Sequence, residues 1–206
     1  MAKSWNKKIF KQIDEKVNQA SKDLAEERGS CPDAAEYGYK ERFSNKTAIA
    51  PTASISIICG GASPGVEPIA ANSYTHKTLS GSFNVRNRYL EEILDGHGKN
   101  DDETWSTITT NQGSVSHLDF LTDLEKDVFK TAFELNQKWI IELSGDRTPY
   151  IFQAQSVNLF LPADVHKKEL HRIHFDAWKK GLKSLYYCRS KSIQRAENIN
   201  DSKSTD

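Results

Sequence analysis

The chain opens on a helical rhythm. Ile9, Ile13, Val17, Ala20 and Leu24 recur at three- and four-residue steps among lysines, glutamates and asparagines, which predicts one amphipathic helix from Trp5 to Arg28. Gly29 supplies its stop, and the polar stretch from Ser30 to Asn45 reads as irregular or a short helix. A short apolar run, Ala48-Ile49-Ala50, reads as the end of a buried strand, stopped by Pro51, which has no ladder donor. Helical spacing returns at Tyr89, Leu90, Ile93 and Leu94 and ends at Asp95-Gly96-His97-Gly98. Lys99 to Asp102 is a charged linker to a helix over Glu103 to Thr109, followed by a turn at Asn111 to Ser114. Thr122 with Glu125 three residues on forms a capping box, opening a helix expected to carry Phe129, Phe133, Leu135 and Trp139 on its buried side. Ser156 to Leu161 has strand composition and is closed by Pro162. Asp164 to Lys180 reads as a helix with Leu170, Ile173, Phe175, Ala177 and Trp178 available to pack, and Leu182 to Cys188 as a last strand. Helices alternating with short buried strands define an α/β class.

Composition narrows the possibilities only modestly. The 206 residues suffice for one domain with a real core, and 28 basic against 28 acidic residues leave no global field to recruit nucleic acid or an anionic membrane. No apolar run reaches the ~20 residues of a membrane helix, and MAKSWNKKIF lacks the apolar centre of a signal peptide, so a cytoplasmic protein is expected. Cys31, Cys59 and Cys188 form neither a disulfide framework nor a CxxC pair; each is expected to be a reduced, packed thiol. The domain is expected to span 1–196, and the polar stretch 197–206 to be a disordered tail.

Three places could carry chemistry. Pro51 to Ser56 places the hydroxyls of Thr52, Ser54 and Ser56 in an uncharged turn, and hydroxyls with free backbone N–H groups suit an anion such as phosphate. Gly60, Gly61 and Gly65 then allow close backbone approach, and Glu67-Pro68 closes the loop. Nothing here is a Walker-type loop, and a hydroxyl-rich turn without a ligand is a common structure. Tyr186-Tyr187 stands at the end of the last predicted strand, where strand geometry would send the two rings to opposite faces and where packing is the ordinary use of tyrosine. His171 and His174, with His166 nearby, share a helix face at zinc-ligand spacing, but no third ligand joins them and a solvated or capping role outweighs metal binding. Lys179, Lys180, Lys183, Arg189, Lys191 and Arg195 form a basic flank around the tyrosines.

The strings KTAIAPTASIS, GGASPGVEP, LSGSFNVRN, QSVNLFLP and GLKSLYYCRSKSIQRAE, in that order, resemble the large (alpha) subunit of class I ribonucleotide reductase. The resemblance runs from about Asn6 to Glu197 and covers only the last third or so of such a subunit. It implies the C-terminal portion of a ten-stranded α/β barrel, incomplete by itself, from a split or truncated chain. The implied activity is radical reduction of ribonucleoside diphosphates to deoxyribonucleotides, in assembly with an N-terminal piece of the large subunit and a small (beta) subunit. The rival expectation is a non-catalytic remnant or scaffold piece that binds the reductase. The resemblance assigns the substrate diphosphate to Pro51, Thr52, Ala53, Ser54 and Ser56. It assigns a radical relay to Tyr187, facing the small subunit, and Tyr186, passing the radical inward. Ala53 stands where some relatives carry glutamate and Ile55 where some carry serine, which shifts the work toward backbone donors. The family's radical cysteine, its catalytic asparagine and glutamate, and its C-terminal shuttle cysteines have no counterpart in the matched strings. No cofactor is implied within this chain; a dinuclear metal centre is expected in the small subunit.

Overall fold

The computed structural model describes residues 1–60, 63–78 and 81–190. These fall into two compact units, one formed by Met1–Pro51 with the described residues from Gln137 onward, the other by Thr52–Asn136.

In the first unit, helix α1 (Ala2–Arg28) is followed by the short helix α2 (Pro32–Glu36), and α1 lies along α7 (Lys138–Arg147). The contact is polar and ionic. Asn6 donates to the Leu143 carbonyl at 2.9 Å, while Lys3 and Lys7 reach Glu142 and Asp146 at 2.8 and 3.3 Å. The buried side of α1 is Ser21 and Ala25, with Phe10 beneath the Arg147 guanidinium at 5.7 Å. The predicted apolar stripe sits roughly a quarter-turn away: Ile9, Ile13 and Ala20 are exposed, and only Val17 and Leu24 are half-buried. Polar partners on α7, rather than the apolar stripe, therefore set the rotation of α1.

The strand expected at Ala48 to Ala50 is reduced to a single parallel bridge, Ile49 to Gln155, and Ile49 is only half-buried. A 3-10 turn at Thr148–Tyr150 ends α7 through Pro149. Strand β3 (Leu159–Leu161) is shorter than Ser156 to Leu161 but fully buried, and it pairs in parallel with β4 (Cys188–Ser190). Between them runs α8 (Lys167–Lys179), capped by the His166 ring, which accepts from the Lys168 N–H at 3.1 Å. The core of this unit joins Ile141, Leu159, Leu161, Ile173 and Ala177. Phe175 and Trp178, expected to pack, lie on the opposite side of α8 and are exposed, Trp178 by 70%.

In the second unit, α3 (Ala53–Ile58) precedes an antiparallel hairpin of β1 (Ser73–Thr78) and β2 (Gly81–Arg86), with Tyr74 opposite Val85. Helices α4 (Arg88–Gly96), α5 (Asp102–Thr110) and α6 (Asp123–Val128) follow. Leu90, Leu94, Trp105, Ile108, Val115, Leu118, Leu121 and Phe129 form the core. Buried Asn72 ties it together: its amide donates to the carbonyls of Gly113 and Phe129 at 2.9 and 2.7 Å and its oxygen accepts from Asn87 at 2.9 Å. The capping box forms as expected, with Thr122 accepting from the Glu125 N–H and Glu125 from that of Thr122. The helix it opens stops at Val128, however. Thr131 then donates through its N–H and hydroxyl to Glu134 at 2.8 and 2.9 Å, starting a separate turn. Trp139 thus belongs to α7 and is exposed. Among the described residues the strands form two separate pairs and no closed barrel, and no helix is long and apolar enough to cross a membrane.

Candidate functional site

The hydroxyl segment is a helix start rather than an open turn. Ser56 N–H donates to the Thr52 carbonyl at 2.8 Å, which opens α3 immediately after Thr52. Thr52 is clasped to the following loop: its N–H and its hydroxyl both donate to the Pro64 carbonyl, at 3.0 and 2.9 Å. Ser56 is buried and donates to the Ala53 carbonyl at 2.7 Å. Pro51, Ala53 and Ser54 are exposed. Two of the three hydroxyl protons are thus committed to backbone carbonyls. Ser54 is exposed, and the first-turn N–H groups have no carbonyl four residues back inside the helix. The loop beyond is braced by Ser63, whose hydroxyl donates to the Glu67 carbonyl at 2.6 Å. Gly60 has φ +82, and a Cβ there would stand 3.3 Å from Arg88 Nη1. Gly61 lies outside the described residues.

The tyrosines belong to the other unit. They precede β4 rather than ending a long strand, yet their backbone is already paired with the segment before β3: Tyr186 N–H donates to Val157 at 2.8 Å and Leu159 N–H donates to Tyr187 at 2.9 Å. The rings do not diverge to opposite faces. Their centroids are 4.2 Å apart with a 57° tilt. The adjoining Tyr187 phenol holds the Tyr186 phenol above the ordinary tyrosine value, against the opposing pull of Arg189. Both rings are about half exposed, at 47% and 54%.

The basic flank is thinner than its sequence suggests. Lys180 pairs with Glu142 at 2.8 Å, Lys183 donates to the carbonyls of Ile151 and Phe152, and Arg189 lies over the Tyr187 ring at 5.5 Å. Lys179 covers Phe175 at 4.8 Å, within an exposed ladder of His171, Phe175 and Trp178 whose centroids step by 5.9 and 5.5 Å. Phe175 and Trp178, expected to pack in the core, instead form this exposed ladder with His171. Lys191 and Arg195 lie outside the described residues. His166, His171 and His174 each serve a different local purpose, as cap, ring stack and donor to the Leu170 carbonyl. Among the described residues no three His, Cys, Asp or Glu side chains converge as a metal site. Cys59 and Cys188 are exposed rather than packed, and Cys31 is half-buried.

This chain belongs to the ribonucleotide reductase barrel-domain family, whose model matches residues 33–188. It is 50% identical over 202 residues to the ribonucleoside-diphosphate reductase large subunit of Invertebrate iridescent virus 6, covering 96% of this chain and 21% of that protein. With the corresponding large subunit of Invertebrate iridescent virus 3 it shares 42% identity over 203 residues, covering 97% of this chain and 32% of that one. The class Id ribonucleotide reductase alpha subunit of Actinobacillus ureae superposes with a TM-score of 0.82 at 37% identity, over 93% of this chain and 34% of that chain. The chain therefore spans about a fifth to a third of the relatives it matches, and its fold is a portion of the reductase barrel.

Proposed function

We propose that this chain contributes part of the catalytic barrel of a ribonucleoside-diphosphate reductase. In assembly with the remaining N-terminal part of the large subunit and with a small subunit, it would take part in reducing ribonucleoside diphosphates to deoxyribonucleotides by radical chemistry. The observation that carries this reading is the contact between Tyr186 and Tyr187. A radical on Tyr187 takes the phenolic hydrogen atom of Tyr186. The O–H bond of Tyr186 breaks, that of Tyr187 forms, and the unpaired electron is left on Tyr186 without any ion being created. Tyr186 would then oxidise a thiol supplied by the N-terminal part. The dinuclear metal centre that first generates the radical belongs, in this reading, to the small subunit.

Substrate would meet α3 at its start. Ser54 and the first-turn N–H groups at Ala53 and Ser54 contact the diphosphate, while Thr52, Pro51 and Ser56 hold that turn in place. Lys179, over the Phe175 ring, and Arg189, over the Tyr187 ring, would receive an acidic segment of the small subunit. The setting is cytoplasmic, where Cys59 and Cys188 stay reduced. The second reading, a non-catalytic piece that binds the reductase, draws support from the self-satisfied hydroxyls of Thr52 and Ser56.

Reconstitution with the other two components decides between them. Deoxynucleotide formation that disappears with Tyr186→Phe, and a KM raised by Thr52→Ala combined with Ser54→Ala, support the catalytic reading. Full activity with Tyr186→Phe would assign the chain to the binding role.

A further inference from the structure

We propose that Arg189 is a positioning residue of the tyrosine pair, its guanidinium holding the Tyr187 ring against Tyr186. This rests on the reading just given, in which the Tyr186 O–H bond breaks as that of Tyr187 forms. Such an exchange needs the two phenols kept at a reactive separation, which a displacement of about 1 Å can spoil. The backbone alone does not keep them there. Successive strand residues point to opposite faces, so the rings of adjacent tyrosines meet only where one is bent back. Hydrogen bonds from Tyr186 N–H to Val157 and from Leu159 N–H to Tyr187 fix the main chain and leave both rings about half exposed. An exposed ring keeps its rotamer freedom unless another side chain pins it.

Arg189 is placed to do this. Its Cζ lies 5.5 Å from the centre of the Tyr187 ring, whose other aromatic neighbour is Tyr186 at 4.2 Å. Two residues separate Arg189 from Tyr187, the spacing that puts side chains on one side of an extended chain. Its own main chain is clamped, because β4 pairs with β3 and sets Arg189 opposite buried Phe160. Among the described residues no carboxylate pairs with the guanidinium and draws it off the ring. The charge also reaches the second phenol: Tyr187 raises the Tyr186 phenol, and Arg189 pulls it back. A cation this near further disfavours a phenol that loses its electron without its proton, since two positive charges would then lie side by side. The neutral exchange is the one it permits.

The test compares Arg189→Gln with Arg189→Lys, first in this chain and then in the enzyme reconstituted with the other two components. In the chain, nuclear Overhauser contacts between the Tyr186 and Tyr187 rings should be strong in the parent, persist in Arg189→Lys and weaken in Arg189→Gln. Arg189 is exposed, so all three chains should show the same helical content. In the enzyme at saturating small subunit, Arg189→Gln should lower kcat about two- to fivefold with KM unchanged, the population shift that an exposed cation–π contact supports. Arg189→Lys, which keeps the cation, should recover most of that loss. Ring contacts unaltered by Arg189→Gln would overturn the proposal, as would an Arg189→Lys deficit equal to that of Arg189→Gln. A deficit that disappears once the small subunit is saturating would do the same, leaving Arg189 a docking residue only. The ring contacts are read without turnover. A reconstituted parent that makes no deoxynucleotide would therefore refute the catalytic reading, while the contacts still decide the role of Arg189.

Discussion

Tyr186 and Tyr187 are neighbours in sequence whose ring centroids lie 4.2 Å apart at a 57° tilt. An ideal extended strand would separate them, so the local backbone before β4 departs from strand geometry to bring two phenols together. In the proposed relay the hydrogen atom passes from Tyr186 to a radical on Tyr187. In the assembled enzyme Tyr186→Phe should reduce turnover by at least about 10²-fold, the scale of removing a positioned proton transfer. KM should barely move. In the chain itself, ultraviolet titration should find the Tyr186 phenol ionising above the usual value, and Tyr187→Phe should bring it back down. An unshifted phenol in the parent chain would show that the hydrogen bond is not made in solution.

The three hydroxyls near α3 should separate in effect. Ser54 is exposed, whereas Ser56 is buried with its proton on the Ala53 carbonyl. If the diphosphate sits at the start of α3, Ser54→Ala should raise KM roughly tenfold or more, as expected for losing a hydrogen bond to a charged group. Ser56→Ala should lower the thermal midpoint and leave KM close to the parent value. Equal KM effects from the two variants would place the phosphate elsewhere.

Acid should weaken the fold through two carboxylates. Glu142 is pulled from the ordinary 4.5 to about 2 by hydrogen bonds from Lys180 and then Lys3. Glu125 is pulled to about 2 by the Thr122 hydroxyl and N–H, with His97 adding to the effect. A carboxyl depressed in the folded state binds protons more readily when unfolded. Its contribution is therefore complete above about pH 4.5 and disappears as pH falls through about 2. Thermal midpoints measured across that window should fall steadily for the parent chain and less steeply for Glu142→Gln. A Glu142→Gln curve parallel to the parent's would show that the Lys3–Glu142–Lys180 group is broken in solution.

Local rules were the readable part of this sequence. Thr122 and Glu125 specify their cap within four residues, and Leu90, Ile93 and Leu94 specify α4 by spacing alone. Non-local partners made the rest illegible. The stripe on α1 is real, but α7 turns it outward with ion pairs from a segment more than a hundred residues away. Pro51 to Ser56 reads as a turn because serine and isoleucine are indifferent helix formers, yet Thr52, anchored to Pro64, starts a helix over Ala53–Ile58. The hairpin of β1 and β2 was missed, although Tyr74, Phe83 and Val85 carry the alternation that marks it. At the candidate site the positions were legible through resemblance. The shared contact of the tyrosines, and the commitment of Thr52 and Ser56 to backbone carbonyls, were not.

Among the described glycines, Gly113 leaves the least room for an added carbon. It has φ +82, and a Cβ there would stand 2.4 Å from Ala71 Cβ, 2.6 Å from Ala71 Cα and 2.8 Å from the Asn72 nitrogen. Two of those atoms are backbone and cannot swing aside. The carbonyl of Gly113 also accepts from the Asn72 N–H at 3.1 Å and from its side-chain amide, so displacement would pull on the residue that joins the Gly113 turn to Phe129 and Asn87. Gly113→Ala should therefore cost about 2–3 kcal/mol, combining left-handed strain with overpacking. Gly96 is the control. It ends α4, is exposed, and a Cβ there would meet nothing within 4 Å. Gly96→Ala should be neutral or stabilise by up to about 1 kcal/mol through helix propensity. Urea midpoints of the two variants measure the difference directly, and a Gly113→Ala chain as stable as its parent would mean that the Ala71–Asn72 segment does not pack against this turn.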